Sequence, residues 1–409
     1  MEKLLTPINS FCCFLLVRNY NFCGFCQKKR VVIGVFFNYN YLCEKFRNEK
    51  FRNMKNPFKF GTIVEDEFFT DRTNELEYIK RVMDSENHLV LISPRRFGKS
   101  SLVVKVAKQM GRPYLFLNLQ KVISTQDLAA KLLKEVFKLY TWEKVKHLMS
   151  HFHFVPTISA NPLTNGIDVS FQPSSDSSVL LEDAMALIEK VSTPERRLMV
   201  IFDEFQEIMQ IDKRLDKQLR AIMQMQKGLN YILLGSQESM MTEIFERKKS
   251  PFYHFGVLMH LNKIPYQDFF DYLHERLSLV LPNESEVVSK EILALTNCHP
   301  YYTQQLASQV WELAKYEDIR EDVVNEAVKR ITANHDLDFE RLWVKFNRMD
   351  KQILQILCRG GNPLQNRDMA TSTAFSAIKR LMKMGYVIRS EKYEVEDPFF
   401  KHWIIDKQL

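Results

Sequence analysis

Three short stretches of the chain carry residue types spaced for phosphate chemistry. Ser93-Pro94-Arg95-Arg96-Phe97-Gly98-Lys99-Ser100 closes on Gly-Lys-Ser. Arg197-Leu198-Met199-Val200-Ile201-Phe202-Asp203-Glu204 ends in paired carboxylates, and Asn230-Tyr231-Ile232-Leu233-Leu234-Gly235-Ser236-Gln237 ends in small polar groups. In the first stretch, backbone N–H groups of a loop and of the helix after it can point together at an anion, helped by the helix dipole. Gly98 lets the chain turn close to the phosphate, Lys99 reaches the β- and γ-phosphates, and the Ser100 hydroxyl is placed to ligate Mg²⁺. Asp203 would hold the same ion through water, and Glu204 would orient and activate an attacking water. Ser236 or Gln237 could sense the γ-phosphate, and the residues do not decide between them.

These groups need rigid elements to hold them. The run His88–Ser93 is apolar and reads as a strand, and Ser101–Met110 reads as a helix, so Gly98-Lys99-Ser100 sits in the strand–loop–helix context that a phosphate loop requires. The run 197–204 is continuously apolar up to Asp203, which is the pattern of a parallel strand buried on both faces. Ligands bind at the carboxyl ends of such strands. One departure stands out: Ser93 occupies the first glycine of Gly-x-x-x-x-Gly-Lys-Ser/Thr, where a positive φ would cost serine more than glycine. Asp203-Glu204 could instead be favourable acids at a helix start, but Lys99 upstream argues for the nucleotide. No Gly-x-Ser-x-Gly elbow surrounds Ser236, which counts against a serine hydrolase.

The chain's formal charge of +7 suggests a nucleic-acid partner until it is located. Residues 1–53 hold nine Lys/Arg and three Asp/Glu, so the remaining 356 residues carry 48 bases against 47 acids. Five of the seven cysteines, Cys12, Cys13, Cys23, Cys26 and Cys43, lie in the same segment. Cys23-Gly-Phe-Cys26 has zinc-knuckle spacing but lacks a second pair. The apolar run Phe11–Val17 is short for a signal peptide and no small-residue cleavage site follows it. The segment reads as an extension without helical or strand period, or as sequence upstream of a natural start at Met54. The few cysteines beyond it fit a reducing, cytoplasmic setting. No apolar run approaches the ~20 residues of a membrane-spanning helix, so no membrane partner is expected.

Taken together, the motifs resemble the P-loop ATPases of the archaeal-ATPase group, within the AAA+/STAND-like branch. Phe68-Phe69-Thr70-Asp71-Arg72-x-x-Glu75-Leu76 is similar to the family's entry motif, and Pro94–Ser100 to its Gly-Pro-Arg-Arg-x-Gly-Lys-Ser/Thr loop. Asp203-Glu204-Phe205-Gln206 is similar to its acidic box, and Ser250-Pro251-Phe252-Tyr253-x-Phe255-Gly256 to a further signature. Cys298-His299-Pro300-Tyr301-Tyr302 resembles Gly-His-Pro-Tyr-Tyr with Cys298 at the glycine. The resemblance covers residues 54–409. It implies an α/β fold in which a P-loop parallel-sheet core is followed by a helical lid and a C-terminal winged helix. It further implies ATP and Mg²⁺ as ligands, with Pro94, Arg95, Arg96, Phe97, Gly98, Lys99, Ser100 and Ser101 around the phosphates. Arg72 would lie near the adenine, and His299 and Pro300 would contact base or ribose. Arg247 could reach a γ-phosphate of its own or a neighbouring subunit, although a solvated surface role suits it better.

The rest of the chain divides accordingly: core 54–260, lid 261–335, winged helix 336–409. After a second core strand at 113–119, the apolar stripe Leu128, Leu132, Leu133, Val136 and Phe137 predicts a helix over 127–149. His147, His151 and His153 follow, a trio that lacks a nearby acid or cysteine to complete a metal site. Residues 152–159 and 166–171 predict a hairpin, and 179–191 a helix. Amphipathic helices are expected over 267–281, 285–295, 302–316 and 320–332. Helices over 349–358 and 371–384 and strands over 386–389 and 393–395 make the winged helix. In the second of these helices Ala374, Ile378, Leu381 and Met382 are expected to face the core and Lys379, Arg380 and Lys383 to face out. DNA recognition through that helix is possible on this pattern, but three cations on a neutral body are a weak footprint.

The sequence therefore points to a nucleotide-driven ATPase switch in which Lys99, Glu204 and Ser236 act on the phosphates and Ser100 and Asp203 hold the metal. The alternative is an ATP-dependent regulator that binds DNA or a protein and turns over little, and self-association is compatible with either. A nuclease is disfavoured, because only nine residues follow Tyr393-Glu-Val-Glu-Asp397-Pro-Phe-Phe400.

Overall fold

In the computed structural model, apolar β-runs assemble into a five-stranded, wholly parallel sheet. The described residues are 54–64, 68–70, 72–151, 153, 157–161, 166–170, 176–317, 319, 321–365, 369–389 and 392–408. Two units divide the chain, Met1–Lys55 and Asn56–Leu409. Of the first, only Met54 and Lys55 are described, so the expectations for residues 1–53 and their cysteines lie outside the described residues, as do Asp71, Phe152 and Phe171.

Within Asn56–Leu409, α1 (Thr73–Asp84) leads to β1 (Leu89–Ile92), α2 (Lys99–Gln109) and β2 (Tyr114–Asn118). Then come α3 (Thr125–Leu139), the antiparallel pair β3 (Thr157–Asn161) and β4 (Gly166–Ser170), and α4 (Ser177–Val191). The core is completed by β5 (Leu198–Asp203), α5 (Leu215–Met223), β6 (Leu229–Gly235), α6 (Glu238–Phe245) and β7 (Val257–His260). The sheet order is β2-β5-β6-β1-β7. Every residue of β1, β5 and β6 is buried, which is why these strands are apolar, but for Asp203 and Asn230, rather than alternating. The order sets β6 between β1 and β5, so the three motifs end side by side.

One helix expected over 127–149 is broken in the structure. It ends at Leu139, where Tyr140 takes extended dihedrals (φ −129°, ψ 136°), and a new turn starts from the Thr141 carbonyl into Trp142–Val145. Its apolar stripe packs on α4, while β3–β4 stands apart from the main sheet. His153 is held by Asp183, whose two carboxylate oxygens take its backbone N–H at 2.8 Å and its Nδ1 at 3.0 Å.

Helices α7 (Tyr266–Leu277), α8 (Ser285–Thr296), α9 (Pro300–Tyr316) and α10 (Val323–Asn334) follow the sheet. The last starts later than its pattern suggests, because Asp322 sits at φ 52°, outside the helical region. Next come α11 (Asp336–Lys345), α12 (Arg348–Cys358), α13 (Thr371–Met384), the antiparallel pair β8 (Val387–Arg389) and β9 (Tyr393–Val395), and α14 (Pro398–Asp406). Asp397 caps α14 by accepting the Phe399 and Phe400 N–H groups, and Pro398 suits the first helical position. Neither α11 nor α14 has a clear signal in the sequence.

On α13 Lys379, Arg380 and Lys383 are all exposed, as expected, and one inward position, Met382, needs correction. Arg380 is not free: its Nη2 and Nε reach Asp350 Oδ1 at 2.5 and 3.1 Å, because Asp350, 3% exposed, needs a cation. Met382 is half-buried against a cavity rather than in the core, and Lys379 and Lys383 line the same cavity. Among the described residues no helix is long and apolar enough to cross a membrane.

Candidate functional site

The phosphate loop forms because β1 must turn into α2 within a few residues. Gly98 is the N-cap of α2 at φ 89°, a conformation that a side chain would strain. Ser93, by contrast, is absent from the positive-φ residues, so the missing glycine costs nothing there; the second left-handed position of the loop is Arg96, at φ 63°. Ser93 also contributes directly. Lys99 Nζ donates to the Ser93 and Pro94 carbonyls, each at 3.0 Å, and lies 3.4 Å from Ser93 Oγ. Burial lowers the Lys99 pKa, and Glu204 and Asp203 act in the opposite direction.

The acidic box closes on this loop from β5. Ser100 Oγ donates to Asp203 Oδ2 at 3.0 Å, and Asp203 Oδ1 accepts the Glu204 N–H at 3.1 Å. Burial, then the neighbouring Glu204, push the Asp203 carboxyl upward, with Ser100 and Lys99 opposing. Glu204 is left-handed (φ 55°, ψ 49°), a strained position for a non-glycine residue that turns its carboxylate out of the strand line. Its Oε2 accepts from Ser236 Oγ at 2.5 Å and from Gln206 Nε2 at 2.6 Å. Of the two polar candidates at the end of β6, Ser236 is therefore the one that meets the acid, while Gln237 sits at the N-cap of α6. Gly235 before it leaves room for Met241, whose side chain would have to move for any Cβ there.

A cavity of ≈ 630 Å³ opens over this cluster, and Arg72, Arg96, Phe97, Gly98, Lys99, Ser100, Ser101, Asp203, Glu204 and Pro300 line it. Pro94, Arg95 and Ser236 face a neighbouring cavity of ≈ 400 Å³ instead, on the far side of the loop. Arg72, 4% exposed, bonds to Glu75 at 2.9 Å and to the Phe97 carbonyl at 3.3 Å, so it braces the loop. His299 lies outside the first cavity. It is buried edge-on against Phe97 (4.9 Å between centroids), its Nδ1 caps α9 by accepting the Tyr301 N–H, and burial lowers its pKa. Its Nε2 stands 3.3 Å from Glu396 Oε1 without hydrogen-bond alignment. The two residues before His299, Asn297 and Cys298, both have positive φ (48° and 55°), so the cysteine occupies a position that glycine would occupy without strain. Arg247 pairs with Glu243 on α6, 64% exposed, and lines none of these cavities.

Part of the cavity wall has no local sequence signal. Residues 59–64 form one side, tied down where the Val64 N–H donates to Ser101 Oγ and where Asn56 Nδ2 donates to Ser308 and Glu312 of α9. Tyr301, Gln304 and Ile264 form the other side. Tyr301 also carries the Arg96 guanidinium over its ring at 4.4 Å and meets Phe60 edge-on at 5.7 Å. Their only hint is the Tyr-Tyr pair after Pro300. The result is a cleft with an aromatic, apolar end and a cationic, carboxylate-bearing end, suited to a nucleotide whose base enters the first and whose phosphates meet the second.

Residues 69–306, more than half of the chain, match the model of a family described as the ATPase domain predominantly from Archaea. No curated protein sequence matches the chain. Its fold is similar to the Walker-type ATPase PABY2304 of Pyrococcus abyssi, at 15% identity and TM-score 0.59, over 85% of this chain and 99% of that one. It is also similar to the Aeropyrum pernix ORC2 protein in its ADPNP–ADP complexes, at 14% identity and TM-score 0.53, over 87% and 98%. The ADP form of that protein gives 14% identity and TM-score 0.52 over the same shares. Identities this low show a common fold, and the family match adds the activity: the chain belongs to the family of ATPase domains found predominantly in archaea and is an ATP-binding, ATP-hydrolysing protein.

Proposed function

We propose that this ATPase is Mg²⁺-dependent and works as a nucleotide-driven switch. The observation that carries the reading is the hydrogen bond between Ser100 Oγ and Asp203 Oδ2 beside the buried Lys99 ammonium. Hydroxyl and carboxylate oxygens from the start of α2 and the end of β5 converge within 3.0 Å, which is the hard-oxygen donor set that Mg²⁺ takes together with substrate phosphates. The ion, when bound with ATP, would neutralise charge on the phosphates. The α2 N-terminus and Lys99 would bind them, Phe60, Ile63 and Tyr301 would flank the base, and Glu204 would take a proton from the attacking water. Ser236 and Gln206 hold the Glu204 carboxylate until it is used.

The switch part rests on where the loop's side chains lead. Arg96 reaches Tyr302 OH at 3.4 Å, and that hydroxyl donates to Glu396 Oε2 at 2.7 Å, just before α14. Loop movement on binding or hydrolysis would therefore pull on α9 and on the C-terminal elements. We read 54–260 as core, 261–335 as lid and 336–409 as winged helix, with the last serving a protein contact. DNA contact through α13 would compete with the Arg380–Asp350 pair, while Lys379 and Lys383 are exposed where they line the smaller cavity. Self-association fits the same scheme. A second reading, a regulator with little turnover, is favoured by the double restraint on Glu204. The test is ATP binding and phosphate release by the full chain, with Mg²⁺ and with EDTA. The switch reading expects release that requires Mg²⁺ and disappears in Glu204→Gln with binding retained; slow release that Glu204→Gln leaves unaltered would favour the regulator.

A further inference from the structure

Another cavity of ≈ 630 Å³ is walled by the end of α8, residues 360–364, strands β8 and β9 and the start of α14. Arg389 on β8, Lys392 just before β9, Lys401 on α14 and Lys263 after β7 all line it. Two carboxylates line it as well, and both are already engaged. Glu394 takes Asn297 Nδ2 at 2.7 Å and Lys263 at 3.7 Å, and Glu396 takes the Tyr302 hydroxyl at 2.7 Å and faces His299 Nε2 at 3.3 Å. Among the described residues the other three cations have no such neutralisation. Arg389 lies over the Tyr393 ring at 5.6 Å, and neither it, Lys392 nor Lys401 forms an ion pair with a carboxylate among the described residues.

Isolated surface lysines spread into water and repel one another. Here a hairpin and a helix bring two lysines and an arginine to one concave wall, where low-dielectric sides strengthen their field. The volume falls in the range of small-molecule sites, roughly 300–1,000 Å³. A forked guanidinium beside two point-charge ammoniums is a donor set for phosphate oxygens. We propose that this second cavity binds a small molecule through a phosphate or pyrophosphate group, held by Arg389, Lys392 and Lys401. A nucleic-acid backbone offers the same chemistry, but a duplex presents its phosphates on a convex surface, and the concave wall suits a small group.

The test uses the full chain saturated with a non-hydrolysable ATP analogue, so that the first cavity is filled, and titrates inorganic pyrophosphate by calorimetry. One pyrophosphate per chain is expected, with at least tenfold weaker binding in Lys392→Ala/Lys401→Ala and in Arg389→Ala. Unaltered affinity for the analogue in the same variants shows that they are folded, and Lys392→Gln/Lys401→Gln serves as a milder pair. No pyrophosphate binding would overturn the proposal. So would binding that survives these substitutions, which would mark an adventitious ion only. In a parallel arm, duplex DNA that depends on the same lysines and is not displaced by pyrophosphate would assign the surface to nucleic acid and also overturn it.

Discussion

The two cavities of ≈ 630 Å³ are equal in volume and opposite in construction. The first is built around backbone: a loop closing on Gly98 at a helix N-terminus, with Lys99, Ser100, Asp203 and Glu204 set by adjacent parallel strands. The second is built from side chains that meet only because hairpin β8–β9 folds against α8 and α14. Backbone donors on rigid strands give a site whose geometry is fixed before the ligand arrives. A side-chain wall is adjustable and depends on the C-terminal elements keeping their place. They are linked by one chain of contacts, Arg96 to Tyr302 to Glu396.

The strongest way to test the first half of the contrast is to remove its chemistry. Glu204→Gln is expected to lower phosphate release by about 10²–10⁴-fold while ATP binding persists. Retained release would mean that another group activates the water. Lys99→Ala removes charged hydrogen bonds of about 3 kcal/mol, so ATP affinity should fall about 100-fold. Equal affinity in a fluorescent-nucleotide titration would contradict the placement of the phosphates. On the other side, Arg380→Ala strands Asp350, 3% exposed, without its cation. Allowing for a partly exposed arginine, about 2 kcal/mol of stability should be lost, read as a lower Tm with ATP affinity unchanged.

The link itself is weaker. Tyr302→Phe keeps the ring but deletes the hydroxyl between Arg96 and Glu396, about 1 kcal/mol, so nucleotide affinity should shift by about fivefold. No shift would leave the two cavities independent.

A pH effect has opposite signs in the two regions. His88, just before β1, is pushed down to about 4 by burial and then by Arg220. Its folded pKa is below the unfolded value of ~6.5, so its contribution is present above that value and is lost as pH falls toward 4. Asp397, at the α14 cap, is pushed up to about 6 chiefly by burial. Its folded form holds the proton more tightly, so falling pH between about 6 and 4 favours folding there. Acid should therefore loosen the core relative to the C-terminal elements. Hydrogen exchange at pH 6.5 and 4.5 reads this directly. His88→Phe should flatten the loss in the core, and Asp397→Asn should remove the gain at α14.

Much of the core was legible from the chain alone. The largely apolar strands that end at Ile92, Asp203 and Gly235 are where the pattern puts them, because strands buried on both faces need apolar residues. The helix broken at Tyr140 and the late start of α10 were not legible, since each turns on one residue's dihedrals. Nor was residues 59–64 as a cavity wall: Lys59 to Val64 have no period, and they are positioned by Asn56 on α9 and Ser101 on α2.

By itself the sequence determined the chemistry of the phosphate end, because Gly98-Lys99-Ser100 and Asp203-Glu204 are local patterns whose backbone geometry follows from their own residues. The tertiary structure decided what those patterns leave open. It chose Ser236 over Gln237 as the partner of Glu204, relieved Ser93 of the glycine's φ, turned Arg380 to Asp350 and set His299 behind Phe97. It alone brought Arg389, Lys392 and Lys401 to one wall. The physical reason is range: dihedral preferences and periodicity act over a few residues, whereas charge pairing and burial act between groups that only the fold brings within a few ångströms.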